Sequence, residues 1–396
     1  MSKILFCKLK KEIVLSCVSV TLLVLFIFAA ADKFKAYGEE SDIEETVNQE
    51  KIEYLYPEKY YYMQLSDIQR REFHKIYNGI LNKETSIEIN GLSVDDLERI
   101  IYIIHFDCPE IFYLSDSAQN YNHKGNMVTM YYPQYTYDKT QIEHMEEEIS
   151  IYTDFFFDEM GDVSDEAAEL YIHDYIVNNV SYSQTSPDYS NIYGTFIHGK
   201  ANCKGYSSAF TYLCRKYGID STQVIGNGTT KGTSVGHSWN TAKLGDSYYY
   251  VDVCWDDLDS LYEYGEIPGI HSYYNLPAAK MNLSHNPKET LQFLGQIPSD
   301  KDSSQMYYKK RGCYADSITE AERIIRKQFA APLDSKKFYV IVQCDSKDSY
   351  NTLKSNASAI IKKCIEESGQ AYVGCRKIEI PDANTLLFAD FVSDDM

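Results

Sequence analysis

The hydrophobic period changes once between Asn202 and Asp257, and no other feature constrains the fold so tightly. Tyr206, Phe210, Leu213 and Tyr217 recur at near-helical spacing, with Asn202 as N-cap and Gly218 as the glycine that ends the run. The segment that follows, "SVGHSWNTAKLGDSYYYVDVCWDD", holds two β-rich runs around the turn signal "LGDS". A chain patterned in this way carries a helix and then an antiparallel hairpin.

The parity of the hairpin decides what its faces hold. A two-residue loop at Gly245 and Asp246 sets Trp239 opposite Asp252, whereas a four-residue loop sets His237 opposite Asp252. Either register puts His237 and Asp252 on one face, with Cβ atoms ~5 Å apart if opposite and ~7–8 Å if diagonal. A three-residue loop would send Asp252 to the far face. The helix brings a thiol to this neighbourhood. Cys203 lies in its first turn, where unpaired N–H groups and the positive end of the helix dipole favour a thiolate. Cys214 shares roughly the same face but lies ~16 Å further along the axis, too far for a disulfide with Cys203. Cys214 reads as core and Cys203 as reactive.

A thiol, an imidazole and a carboxylate in this arrangement are equipment for covalent acyl chemistry. His237 would deprotonate Cys203 and later protonate a leaving amine, and Asp252 would fix the ring. The backbone N–H of Cys203 and a side chain such as Tyr193 are candidate oxyanion donors. Trp239 and Trp255 read as sheet packing, with a wall of the acyl pocket as the sharper role. His173, His198, His271 and His285 show no such partners in the sequence and read as surface or satisfied structural histidines. The acidic run at Asp256, Asp257 and Asp259 lacks the glycine and distal glutamate of a calcium loop and reads as a solvated turn.

Charge and cysteine usage narrow the setting. A net charge of -20 over 396 residues argues against a nucleic-acid partner. Lys3, Lys8, Lys10 and Lys11 precede an uncharged run from Ile13 to Ala31. That run is close to the ~20 residues that span a bilayer and longer than the ~7–15 of a secretory apolar region. Cleavage near Ala29 and Ala31, or retention as an anchor, both place the chain beyond Asp32 outside the membrane. No CxxC pair and no zinc-like spacing occurs, so neither a metal nor a cofactor is expected.

Three ordered blocks, "GKANCKGYSSAFTYLCRKYGI", "HSWN" and "YYYVDVCWDD", resemble the transglutaminase-like superfamily of exported bacterial proteins. The resemblance runs from about Tyr171 to His285 and includes "IHDYIVNNVSY" and "YYNLPAAKMNLSH". It implies a papain-like α+β core in which the cysteine-bearing helix packs on an antiparallel sheet. It carries over Cys203, His237 and Asp252 as nucleophile, base and orienter. Asn202, Lys204, Ser238 and Cys254 depart from the valine, glutamate, alanine and threonine of the pattern, and none removes a catalytic group. Lys204 would lower the thiol pKa further, and the parity of Cys254 allows a regulatory Cys203–Cys254 disulfide.

The organisation expected is a targeting segment (1–31), an acidic linker (32–58), an accessory helical and strand region (59–160), the catalytic domain (161–298) and a small α/β domain (299–396). The activity expected is an acyltransferase, or a cysteine peptidase or amidase, acting on proteins or peptides at the cell surface or wall. A non-catalytic surface-binding or scaffold module that keeps the fold is the alternative. Membrane contact is expected only through the N-terminal segment, and the oligomeric state is left open.

Overall fold

The computed structural model describes residues 59–116, 120–230, 232–257, 270–329, 339–368 and 372–393. The expected targeting segment, the acidic linker and Asp259 lie outside the described residues. Among the described residues, no helix is long and apolar enough to cross a membrane.

The N-terminal helices begin where a polar side chain caps them. α1 (Asp67–Leu81) and α2 (Val94–Asp107) start at Ser66 and Ser93, each in a capping box closed by Gln69 or Asp96. α1 buries Phe73, Ile76, Tyr77 and Ile80. Ile68 is exposed; at 3.6 residues per turn it lies ~130° from the stripe centre. A small antiparallel sheet follows, from β1 (Ile87–Glu88), β2 (Asn120–Lys124) and β3 (Met127–Tyr132), in the order β1-β3-β2. α3 (Lys139–Met160), capped by Asp138, and α4 (Asp165–Asn179), capped by Ser164, lead into the region of interest. α4 buries Ala168, Ile172 and Ile176 together with two polar residues, Glu169 and His173.

The central unit is built from β4 (Ser181–Tyr182), α5 (Ile192–Phe196), β5 (Lys200–Ala201), α6 (Cys203–Tyr217), β6 (Ser221–Thr230), β7 (Thr233–Leu244), β8 (Ser247–Val251) and β9 (His285–Asn286). β4 and β5 form a short parallel pair. The other four strands make an antiparallel sheet in the order β8-β7-β6-β9. α6 lies on this sheet through polar and apolar contacts together. Ser207 and Ser238 share a hydroxyl hydrogen bond of 2.7 Å, and the Asn240 amide donates to the Ser207 carbonyl at 2.9 Å and to Thr211 Oγ1 at 2.8 Å. Tyr206, Phe210, Leu213 and Cys214 are fully buried, and each large apolar side chain contributes about 1.5–3 kcal/mol. The architecture is α+β, with the cysteine-bearing helix packed on an antiparallel sheet.

The flanking regions share this core. Ile149, Phe156 and Met160 of α3 belong to the same apolar cluster as α6. Asp107, buried at the end of α2, accepts from Arg215 Nη2 at 2.6 Å and from Thr222 Oγ1 at 2.5 Å, tying the N-terminal region to α6 and β6. The C-terminal region contains α7 (Ile318–Phe329), α8 (Lys347–Ser368) and a sheet in the order β10-β11-β13-β12. Its strands are β10 (Tyr314–Ala315), β11 (Val340–Cys344), β12 (Tyr372–Ile380) and β13 (Thr385–Ser393). Strand alternation explains how it docks. Val340, Val342, Leu386 and Phe388 form a cluster with α7 and α8, while Ile341, Leu387 and Ala389 join the central core. Residues 299–396 thus carry an apolar cluster of their own and give the other face of their sheet to the central unit.

Candidate active site

Cys203 is the first residue of α6, and two local choices hold it there. The Asn202 side chain accepts from the Gly205 N–H at 3.1 Å, which leaves the N–H groups of Cys203 and Lys204 without an intrahelical partner. Gly205 is needed because a Cβ at that position would come within 2.7 Å of the Tyr189 carbonyl oxygen. β7 and β8 join through the two-residue loop at Gly245 and Asp246, with Leu244 opposite Ser247 and Asn240 opposite Val251. Gly245 has φ +62°, the left-handed region that favours glycine in such turns. Continuing this register sets Trp239 opposite Asp252, so His237 reaches Asp252 diagonally. The imidazole nevertheless makes a 2.6 Å hydrogen bond from Nε2 to Asp252 Oδ2.

His237 and Cys203 also act on each other's ionisation, the imidazole favouring the thiolate and the thiolate favouring a charged ring. Burial pushes the Cys203 thiol up, but the hydrogen bond and charge of His237 and the Ser238 N–H outweigh it. The thiol is left below its ordinary value. Burial pulls His237 down, and Asp252 and Cys203 raise it to about 10. Burial raises Asp252, and the two imidazoles beside it hold it below the usual carboxylate range. Together these shifts favour a thiolate–imidazolium pair backed by a carboxylate.

Asp252 serves two further partners. Its Oδ1 accepts from the Trp255 N–H at 3.0 Å, starting a single helical turn at Val253–Asp256. Its Oδ2 also accepts from His285 Nε2 at 2.9 Å, and His285 Nδ1 pairs with the Ser284 hydroxyl at 2.9 Å. Burial lowers the His285 pKa, with Asp252 opposing, so this imidazole is neutral. The sequence reading, which gave His285 no partner, is corrected here. The link depends on β9 pairing with β6, Gly228 opposite His285, a contact between distant segments that local spacing does not reveal.

The two tryptophans flank the imidazoles. Trp255 stacks on His237 at 4.8 Å and tilts over His285 at 4.5 Å, and Trp239 meets the edge of His285 at 4.8 Å. Gly228 makes room, since a Cβ there would lie 2.5 Å from the Trp255 ring. Tyr193 is not aimed at an oxyanion, because its hydroxyl donates to Glu148 at 2.6 Å and its ring stacks on Phe112. Lys204 points to Asp116 at 3.0 Å, away from the sulfur. Cys203 and Cys254 are both free thiols, and burial pushes Cys254 well above the ordinary value.

The acidic run is not a solvated turn. Asp256 and Asp257 are buried; Asp256 accepts from the Tyr273 N–H at 3.0 Å and Asp257 from the Tyr206 hydroxyl at 2.5 Å. His173 and His271 also have partners, in Asp174 and Asp256. Against the sequence expectation of no metal site, two groups among the described residues bring ligand-type atoms within 4.8 Å of one another: His237–Asp252–His285 and His173–Asp174–His271.

No curated protein matches the chain. Among solved structures, similar chains are a candidate cysteine protease from Cytophaga hutchinsonii, a TGase, and a candidate protease from Parabacteroides distasonis. The first is 19% identical over 30% of this chain and 43% of its own, with TM-score 0.24. The TGase is 14% identical over 46% and 50%, with TM-score 0.26. The third is 12% identical over 35% and 36%, with TM-score 0.21. The match spans half or less of each of these proteins, and scores this low carry no argument about activity. The family model of the transglutaminase-like superfamily matches residues 156–253, a span that holds α4, α6, Cys203, His237 and Asp252. Residues 156–253 thus form a transglutaminase-like domain.

Proposed function

We propose that the protein is a cysteine acyl-transfer enzyme with Cys203 as nucleophile, His237 as general acid and base, and Asp252 as orienter. One observation carries this reading: the His237 ring is held by the buried Asp252 carboxylate at 2.6 Å, and its charge lowers the pKa of the Cys203 thiol. The Cys203 thiolate attacks a carboxamide or peptide carbonyl carbon. The tetrahedral oxyanion is met by N–H groups at the start of α6. His237 then gives its Nδ1 proton to the leaving nitrogen, the C–N bond breaks, and a thioester remains. An amine or water next attacks the thioester carbon and gives a proton back to His237. The C–S bond breaks and the thiolate is restored. His285 acts as a positioning residue that shares the Asp252 oxygen and keeps the carboxylate turned to His237.

A cavity of about 270 Å³ opens on the neighbouring face of α6, lined by Lys204, Ser208, His105, Asp116, Tyr137 and Asp188 among others. It lies between the N-terminal region and the loop before α5, and Cys203 and His237 are not among its lining residues. The basic, apolar N-terminal segment supports action outside the membrane, on surface or wall peptides. To test the reaction, wild type and Cys203→Ala are incubated with a glutamine peptide and a fluorescent primary amine. Cys203-dependent amine incorporation identifies transfer, and Cys203-dependent cleavage or deamidation identifies hydrolysis. Absence of both with a panel of surface peptides, alongside an unreactive Cys203, overturns the proposal.

A further inference from the structure

A second cluster lies behind the turn that Asp252 starts. His173 Nδ1 is 2.9 Å from Asp174 Oδ1, and His271 Nε2 is 2.7 Å from the same oxygen. His173 and Asp174 come from α4, and His271 comes from the segment after residue 269. His173 is fully buried, His271 nearly so, and the Asp174 side chain is 42% exposed, so the group is walled on one side and open to water on the other.

We propose that His173 Nδ1, the Asp174 carboxylate and His271 Nε2 form a site for a zinc-type divalent cation, with a remaining coordination position open to solvent. Two imidazoles and one carboxylate make a donor set that suits zinc. The surroundings add the outer partner that metal-bound imidazoles have. His173 Nε2 faces Asp256 Oδ2 at 3.2 Å, which directs its proton to Nε2 and leaves the Nδ1 lone pair for a metal. Asp256 is itself fixed by the Tyr273 N–H, at 3.0 and 3.3 Å to its two oxygens. His271 stacks flat on Tyr307 at 3.7 Å, which fixes the plane of its ring.

Charge balance is consistent with the assignment. Two carboxylates, those of Asp174 and Asp256, face the imidazole of His173 and can offset a dication held there. The competing occupant is a proton that makes His173 an imidazolium between the two carboxylates. The site would have a structural role. Asp252 donates its N–H to the Tyr273 carbonyl at 3.0 Å, and the Tyr273 N–H goes to Asp256. A bound cation would therefore pin α4 to the segment that supports Asp252, whether or not Cys203 performs acyl transfer.

The test is titration of the metal-free full-length Cys203→Ala chain with Co²⁺ as a spectroscopic stand-in, followed by displacement with Zn²⁺. The substitution removes the competing thiolate. The expected result is stoichiometric uptake with the visible bands of a four-coordinate nitrogen and oxygen site. His271→Ala should abolish uptake, and Asp256→Asn should weaken it ~10–100-fold. His285→Ala should leave it unchanged, which separates this site from the His237–Asp252–His285 group. Imidazole ¹⁵N resonances of the unsubstituted chain report the ligands without relying on a variant that folds. Zn²⁺ should move those of His173 and His271. No stoichiometric uptake, or movement of His237 and His285 in their place, overturns the proposal.

Discussion

Removing the His237 ring should change how the alkylation of Cys203 depends on pH. In the folded protein the hydrogen bond and charge of His237, with the Ser238 N–H, are what lower a thiol that burial alone would raise. Wild type should therefore keep more of its iodoacetamide reactivity between pH 8 and pH 6 than a chain without the imidazole. In His237→Ala the burial contribution is unopposed by the imidazole, so Cys203 should titrate at or above the ordinary ~8.5 of a free thiol. Below that value the thiolate fraction falls ~10-fold per pH unit, giving a ~100-fold loss over two units, or ~2.7 kcal/mol. The shape of the profile is the readout, because a thiolate of higher pKa is intrinsically the better nucleophile. The assay is pseudo-first-order alkylation, with Cys203 occupancy followed by mass spectrometry of its tryptic peptide. Superimposable profiles for wild type and His237→Ala would refute the thiolate–imidazolium assignment.

Four further outcomes follow from the same geometry. Asp252→Asn should lower turnover ~10²–10⁴-fold by releasing the ring that performs proton transfer, measured as kcat on a peptide substrate. His285→Ala should reduce kcat by at most ~10–100-fold with KM little changed, since one hydrogen bond to a charged carboxylate is lost. Arg215→Ala leaves the buried Asp107 carboxylate unpaired and should cost about 3–5 kcal/mol in denaturant unfolding. Burial raises Glu169 to about 7, with Tyr274 and Asn275 opposing. The folded state therefore holds a proton that the unfolded state releases near ~4.3, and stability should fall as pH rises from ~4.3 to 7, by roughly 4 kcal/mol in all. Glu169→Gln should flatten that slope in unfolding curves taken at pH 5 and pH 8.

The legible parts of the sequence were those set by local spacing. The cap at Asn202, the glycine at 218 and the turn signal at Leu244–Ser247 marked α6 and the β7–β8 hairpin, and both registers they allowed put His237 and Asp252 on one face; the pairing of Leu244 with Ser247 selects the two-residue loop. Non-local contacts were not legible. His285 reaches Asp252 only because two residues of β9 pair with the middle of β6, and its neighbours in sequence carry no trace of that pairing. Asp256 and Asp257 looked solvated because a run of acids usually is, yet His173, Tyr206 and the Tyr273 N–H satisfy them in the interior. Tyr193 failed as an oxyanion donor for a similar reason, since Glu148 on α3 claims its hydroxyl. The C-terminal β/α alternation was readable. That its second sheet face closes the central core was not, because Ile341 and Leu387 look the same in either setting.

The central claim is that Cys203 carries the acyl group. Its most direct test is to quench wild type and Cys203→Ala within the first turnover on a peptide carboxamide and to measure intact and peptide masses. The account predicts a hydroxylamine-labile acyl adduct on the peptide containing Cys203 in wild type, and none in Cys203→Ala. Turnover that persists in Cys203→Ala, or an adduct on another cysteine, would contradict it.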